Sequence, residues 1–537
     1  MSVLTGVERV TRTSIGDEDP AKRRMVLSRR WRLGTCAWIV VALSLIFVRS
    51  RSLSLDRNVT DRLKYHAIPV AISVLYHGRV HDYTAYQSIE RRFQSPNLTV
   101  SEMIARTVDG PAPRDDATYY WAADDRGTAD YVIAAFALFG PSTRSLFAFY
   151  FLVLASTYAL AAVGGRWSPG MAALSIASLA AIYSCLAIFP LANLAVQIER
   201  PALFEPRAFD LLALMATLHL AFAEWVAPPS TPASMAAVIG QTAIFAFCYH
   251  ARSSIGWEAA FIIVMNAAAI VRLRRSSGDG GRRWRTLAVL IGGLAALSAY
   301  QHVTYNKRYF EDMGARTVWH NALMGFTSNT ALAATYHLAV SDSAVIDAVI
   351  ADMGRRHDPH LNDRWTNENI RNSLGGWSAF NWFEYESAAR TLYFGIWSRA
   401  TRDVLRCYLI DKPADIVRTL RSASLSDGRP GRQRQQLYFA PFSPVAFLIA
   451  APALIILVRH GGAWRLIPGC LLLFAFSLMP SVFFYSVVLT MMGTFASIAI
   501  LMYFTTAVVM EAGWVALVRF VAPIGSVGSS TGAQSRG

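Results

Sequence analysis

The chain has 537 residues, 54% of them hydrophobic and only 16% charged, with a positive mean hydropathy. That is too apolar for a soluble protein with an ordinary charged surface, so the composition defines a polytopic membrane protein. The formal charge of +15 does not point to nucleic acid, because the basic residues cluster beside apolar runs, where orientation in a bilayer already accounts for them.

Residues 1–33 form a basic N-terminus, with Arg23, Arg24, Arg29, Arg30 and Arg32 placed just before the apolar run 34–48. The RSRSLSLDRN stretch that follows offers no convincing small-residue cleavage site, so 34–48 reads as an uncleaved first span with a cytoplasmic N-terminus. A mostly polar first loop, 49–144, comes next. Within it the run 67–75 is too short to span and predicts an interfacial helix. Asn58-Val-Thr and Asn97-Leu-Thr match the N-glycosylation acceptor pattern.

The end of this loop, RDDATYYWAADDRGTADYVIAAFALFGPSTR over 114–144, carries two carboxylate pairs, Asp115 with Asp116 and Asp124 with Asp125. They lead into an apolar run of about a dozen residues, short of the roughly 20 that a helix needs to cross a bilayer. The run therefore predicts a re-entrant or surface helix. Carboxylates held beside it at a membrane surface are costly unless they meet a cation, a base or a substrate hydroxyl, which makes this stretch the first candidate active site.

Further spans are expected at 145–163, 171–189, 209–225, 233–249, 255–271, 284–300, 441–458, 464–484 and 487–510. Counting the short helix as a span would put Arg272, Arg274, Arg275, Arg282, Arg283 and Arg285 outside the cell. Leaving it out puts that cluster inside, together with Arg166, Arg459 and Arg465, as the rule for basic loops requires. The expected fold is then an all-α polytopic membrane protein of about ten transmembrane helices, both termini cytoplasmic, in a bacterial inner membrane. Its parts are a transmembrane core over 34–300, a larger external (periplasmic) region over 301–437, C-terminal transmembrane helices over 438–520, and a disordered cytoplasmic tail over 521–537. The first loop, the connector AVQIERPALFEPRAFD and the turn Tyr249-His250-Ala251-Arg252 converge on the external face. Cys36, Cys185, Cys248, Cys407 and Cys470 are scattered, with no metal-ligand spacing, and only Cys407 falls in a long polar segment, which excludes a disulfide framework there.

This layout resembles the GT-C superfamily of integral membrane glycosyltransferases, mannosyltransferase-like enzymes that take a sugar from a polyprenyl-phosphate donor. The residues that carry the resemblance are the acidic DDATYY in the long loop after the first span and the apolar segment ending in LFGPSTRSL. The latter is similar to an LFG-x-S-x-x-x-R-L pattern of bacterial members. The next two spans end at Pro190, before a loop carrying Glu and Arg. The likeness covers roughly the first 210 residues by pattern and the remainder by layout. Two departures stand out: the acidic pair lies close to the apolar segment, and Gly127-Thr-Ala-Asp130 replaces the usual Pro-Pro or Lys-Pro.

The resemblance implies a base that deprotonates an acceptor hydroxyl, aligned with Asp116 and partnered by Asp115; the same residues would also suit a helix N-cap. Asp124 and Asp125 suit a divalent Mg or Mn ion on the donor phosphate, or a polar turn closed by Gly127. The leaving lipid phosphate calls for cations, and Arg200, Arg207, Arg252 and His250 stand on the external face where orientation does not demand them. Glu199 and Glu205 could equally pair with these arginines as structural ion pairs. Trp319, His320 and the aromatic-rich stretch 375–386 offer platforms for an acceptor sugar, or the core of a small external domain. The implied partners are a polyprenyl-phosphate sugar donor, the lipid bilayer and a glycan, lipid or protein acceptor. Two other classes share this layout: a polysaccharide polymerase or ligase, which would not need the first-loop carboxylates, and a transporter or flippase. The latter would place ionisable groups in mid-bilayer, where His219 and Glu258 are the few such residues and His219 reads as core.

Overall fold

The computed structural model describes residues 29–51, 59, 63–81, 83–93, 98–111, 118–120, 126–164, 168–192, 208–226, 228–274, 284–305, 318–362, 365–366, 382–422, 424–425, 435–436, 443–484 and 492–521. These residues form an all-α polytopic membrane protein, in which nine described helices are long and apolar enough to cross a bilayer. Helix α1 (Arg29–Arg51) leads into α2 (Ile68–Tyr76), strand β1 (Thr84–Tyr86), α3 (Gln87–Arg92), α4 (Val100–Val108), strand β2 (Thr118–Tyr120) and α5 (Gly127–Phe139). Then come the long helices α6 (Thr143–Gly164), α7 (Pro169–Ala192), α8 (Phe209–Val226), α9 (Pro232–Ala251), α10 (Gly256–Arg274) and α11 (Arg285–Thr304). A cluster of shorter helices follows: α12 (Val318–Met324), α13 (Thr330–Tyr336), α14 (Asp342–Arg355), α15 (Trp382–Arg399), α16 (Thr401–Arg406) and α17 (Lys412–Ser422), then the two-residue strands β3 (Ser424–Leu425) and β4 (Gln435–Gln436). Helices α18 (Pro444–His460), α19 (Ala463–Ser477), α20 (Met479–Phe483) and α21 (Met492–Val521) close the chain. The run expected as a span at 441–458 is α18, an apolar helix of 17 residues at the short end of what crosses a bilayer.

Apolar helices in lipid gain little from the hydrophobic effect against one another, so close backbone approach and side-chain hydrogen bonds hold them together. Gly164 lies where an added Cβ would stand 2.3 Å from His219 Cε1, which places the buried His219 in the helix-packing core as its apolar setting suggested. Trp38 Nε1 donates to the Ile449 carbonyl at 3.0 Å, Gln241 Nε2 to Thr157 at 2.6 Å and Asn266 Nδ2 to Leu220 at 3.0 Å. Bonds of this kind contribute about 0.6–2 kcal/mol each in a bilayer.

More ionisable groups lie within the spans than His219 and Glu258 alone. Asp210 and Glu224 are also buried in α8, because both fall inside the first or last turns of a helix that packs on every side. Neighbouring helices answer two of these carboxylates: the Thr217 hydroxyl donates to Glu258, and the Thr286 hydroxyl donates to Glu224 at 2.6 Å.

Helix α5 is 13 residues long, about 20 Å at the usual rise, against a hydrocarbon core of about 30 Å. Its Tyr131, Val132, Ala135 and Phe136 are buried, and the Tyr131 hydroxyl donates to the Leu146 carbonyl at 2.6 Å, fastening α5 to α6. Gly140, at φ 84°, makes the reversal between these two helices, a backbone conformation that an L side chain rarely adopts. The apolar run expected as an interfacial helix is α2, whose residues from Ile68 to Ser73 are buried and which packs against α5.

Helices α12 to α16 build a second hydrophobic cluster around Leu323, Phe326, Val345, Val349, Tyr385 and Leu392. It meets the membrane helices at Lys412, whose buried ammonium donates to the Val482 carbonyl at 2.8 Å and lies 4.1 Å from the Tyr408 ring centroid. Gly325 is needed at this junction, since an added Cβ would fall 2.0 Å from the Phe484 carbonyl oxygen.

Candidate functional site

Helices α9 and α11 are separated by one span, α10, so their C-termini lie at the same face. His250 ends α9 and Tyr300 and Gln301 end α11. The N-terminus of α5 enters between them because Gly127 has no side chain: a Cβ there would lie 2.4 Å from both His250 Cδ2 and the His250 carbonyl oxygen. The Thr128 hydroxyl donates to the Ala251 carbonyl at 3.0 Å and fixes the contact. In consequence Asp130, in the first turn of α5, is carried into a shell of polar side chains.

Asp130 is the centre of that shell. His81 Nε2 lies 2.5 Å from its Oδ1, while His250 Nε2 at 2.6 Å, the Tyr83 hydroxyl at 2.5 Å and the Tyr300 hydroxyl at 3.3 Å all reach Oδ2. On the far side of the His250 ring, Nδ1 faces the Gln301 amide nitrogen at 3.1 Å and the Tyr305 hydroxyl at 3.3 Å. Both of those groups can donate, an arrangement that makes Nδ1 an acceptor and leaves the His250 proton on Nε2, directed at Asp130. Arg126 is fully buried at the start of α5, with its guanidinium 5.8 Å from the Tyr305 ring centroid.

The electrostatics follow from this geometry. Burial alone would raise the Asp130 pKa, but the hydrogen bonds from His250 and His81 outweigh it and hold the carboxyl well below its ordinary range. Burial, together with the charge of Asp130, pushes the Tyr83 phenol far above its ordinary value, so it stays a donor. Tyr83 also sits at φ 61°, a left-handed conformation that costs a non-glycine residue on the order of 1–3 kcal/mol and tends to be kept where function requires it. Strand β1 starts at the next residue and pairs with β2 in antiparallel register, Thr84 with Tyr120 and Tyr86 with Thr118.

The acidic pairs singled out in the sequence, Asp115 with Asp116 and Asp124 with Asp125, lie outside the described residues, as do Arg200, Arg207 and residues 375–381. The segments flanking the acidic pairs are placed: β2 joins β1 beside Tyr83, and Arg126 and Gly127 open α5. His250 enters the centre directly. Arg252 stands two residues later at the C-terminus of α9, half-buried, its backbone N–H donating to the Cys248 carbonyl at 2.8 Å.

Trp319 and His320 belong to the second cluster. His320 is buried between the Tyr385 hydroxyl, 2.5 Å from Nδ1, and the Asp342 carboxylate, 3.1 Å from Nε2. The hydrogen bond from His320 holds the Asp342 carboxyl below its ordinary range, with partial burial acting in the opposite direction. The backbone N–H groups of Trp319 and His320 donate to Glu386 at 2.8 and 3.2 Å, and the half-buried Trp319 ring has the Arg390 guanidinium 5.8 Å from its centroid.

Sequence reasoning passed over Asp130, His81, Tyr83, Tyr300, Gln301, Tyr305 and Arg126 as site residues. The signal for Asp130 was present: a carboxylate in the first turn of an apolar helix that charge parity keeps at the surface, facing the same side as His250. Among the described residues no group of three His, Cys, Asp or Glu side chains is arranged to hold a metal ion.

No family model and no curated protein matches the chain. Among solved structures, the crystal structure of ArnT from Cupriavidus metallidurans bound to undecaprenyl phosphate is similar over 93% of this chain and 81% of that one, at 11% identity and a TM-score of 0.30. Fold and site together define an integral, all-α membrane protein with a carboxylate–imidazole–phenol centre where several helix ends meet at one face.

Proposed function

We propose that this protein is a membrane glycosyltransferase that moves a sugar from a polyprenyl-phosphate donor to a glycan, lipid or protein acceptor, with the Asp130 centre as its active site. The observation that carries the reading is the Asp130 carboxylate gripped by His81, His250 and Tyr83 at the end of an apolar helix too short to cross. A charged acid–base cluster beside lipid is costly unless it serves chemistry on a polar group brought there by a lipid carrier. The DDATYY and LFGPSTRSL patterns on either side of that helix support the same class.

In this reading the Asp130 face is external, both termini are cytoplasmic, and the membrane is a bacterial inner membrane, as the distribution of Lys and Arg implies. Arg126 and Arg252 flank the centre and serve the donor phosphate together with Arg200 and Arg207. Asp115 and Asp116 stand two to three residues before β2, close in sequence to the centre, and act on the acceptor; Asp124 and Asp125 are the place for a divalent Mg or Mn ion. Trp319 and His320 serve the acceptor through the second cluster, Trp319 by its aromatic face.

A second reading, transport of a lipid-linked sugar without transfer, is favoured by Asp210, His219, Glu224 and Glu258, all buried within spans. The two separate on one experiment. Proteoliposomes of the purified protein are supplied with radiolabelled polyprenyl-phosphate mannose, glucose or arabinose, and released polyprenyl phosphate and relocated lipid are measured in parallel. Release of lipid phosphate from one donor is expected; relocation of intact lipid-linked sugar with no release would overturn the transferase reading.

A further inference from the structure

We infer that the proton acceptor in this centre is His81, through Nδ1, and that Asp130 is a positioning residue. The inference rests on the transferase reading above. The basic atoms of the centre differ in whether a protein donor already occupies them.

Asp130 does not offer a free basic atom of ordinary strength. Its Oδ2 is met by His250 Nε2, the Tyr83 hydroxyl and the Tyr300 hydroxyl, and its Oδ1 by His81 Nε2 at 2.5 Å; the histidine bonds hold the carboxyl well below its ordinary range, so the one lone pair left on Oδ1 is weakly basic. His250 does not either, since Nε2 faces Asp130 and Nδ1 faces Gln301 and Tyr305. His81 differs. Its Nε2 is held by Asp130, while its Nδ1 is buried and has no hydrogen-bond partner among the described residues. The Tyr83 ring packs on it at a centroid distance of 4.2 Å and fixes the plane of the imidazole.

A buried acceptor without a donor is unfavourable, and a substrate hydroxyl donating to it would relieve that. A carboxylate on one ring nitrogen sets the tautomer, exposes a lone pair on the other, and stabilises the imidazolium once the proton arrives. The titratable groups that meet His81 are Asp130, at its ring nitrogen, and Tyr83, against its ring; His250 and Tyr300 share the Asp130 carboxylate with it.

The acceptor hydroxyl oxygen forms a bond to the anomeric carbon as the bond from that carbon to the phosphate oxygen breaks. The electron pair of the broken bond leaves with polyprenyl phosphate. The hydroxyl proton passes to His81 Nδ1, giving an imidazolium paired with the Asp130 carboxylate.

The test uses the full-length protein in proteoliposomes with the radiolabelled polyprenyl-phosphate sugars named above. His81→Gln keeps an amide donor toward Asp130 but removes the Nδ1 acceptor. It is expected to lower kcat by about 10²–10⁴-fold with KM for the donor little changed, and to abolish the acid limb of the pH–rate profile. Added imidazole is expected to restore part of the rate to His81→Ala. His81→Gln turning over within twofold of wild type with the same profile would overturn the assignment and leave the transferase reading standing. Should neither variant fold, the wild-type profile still decides: kcat/KM that is flat on the acid side contradicts a histidine base. Wild-type protein that transfers from none of the donors would end the transferase reading, and the base with it.

Discussion

His250 Nε2 and Asp130 Oδ2 meet at 2.6 Å across 120 residues of chain, joining the C-terminus of α9 to the first turn of α5. With Thr128 on the Ala251 carbonyl, this contact anchors the first turn of α5, a helix too short to span, at the end of α9.

The anchor depends on the absence of a side chain at Gly127. Gly127→Ala is expected to push α5 off the end of α9, since its methyl would lie 2.4 Å from His250. A loss of about 1–3 kcal/mol is expected from overpacking of this kind. Thermal unfolding in detergent micelles measures it, with Gly292→Ala, where no atom lies within 4 Å of the new methyl, as the neutral control. Equal melting temperatures for the two variants would contradict the packing account.

Asp130 predicts an acid dependence. Its folded pKa lies below the ordinary carboxylate value of about 3.9, because burial is outweighed by the hydrogen bonds from His250 and His81. A depressed carboxyl contributes stability that is present above the unfolded pKa and lost as pH falls through the folded one. The difference in melting temperature between wild type and Asp130→Asn should therefore be constant near neutrality and shrink below about pH 4. A difference that grows on acidification would show the carboxyl to be stabilised in its protonated form.

Lys412 predicts the opposite limb. Burial at the junction with Val482 and Phe483 lowers its pKa to about 8, with nearby Cys407 acting in the opposite direction. The unfolded lysine, near 10.4, then binds more protons than the folded one between about pH 8 and 10.4, so the group adds stability as pH rises through that window. Lys412→Met should remove this rise. Its melting curve compared with wild type from neutral to alkaline pH is the check, and identical pH slopes would contradict the burial.

Much of the fold was legible because its causes are local. Run length gave nine of the spans and set α5, at 13 residues, apart from them. Apolar context gave His219 its place in the core. The centre was only half legible. His250 was noticed because a polar residue at a span end is conspicuous, but His81 and Tyr83 lie in an undistinguished polar stretch, and Tyr300 and Tyr305 look like ordinary interfacial aromatics. What brings them to Asp130 is the register in which α5 enters between α9 and α11, set by Gly127 and Thr128. No periodicity within a single helix encodes that register. Asp210 and Glu224 were missed for a related reason: carboxylates near helix ends read as solvated until neighbouring helices close over them.

The most direct test of the central claim is a single-turnover measurement of polyprenyl phosphate released by wild-type protein and by Asp130→Asn in proteoliposomes. The Asn side chain keeps the shape but loses the negative charge that orients His81 and His250. With folding confirmed by an intact melting transition, release is expected to fall by about 10²-fold or more while donor binding persists. Release by Asp130→Asn at the wild-type rate would contradict the assignment of the Asp130 centre as the active site.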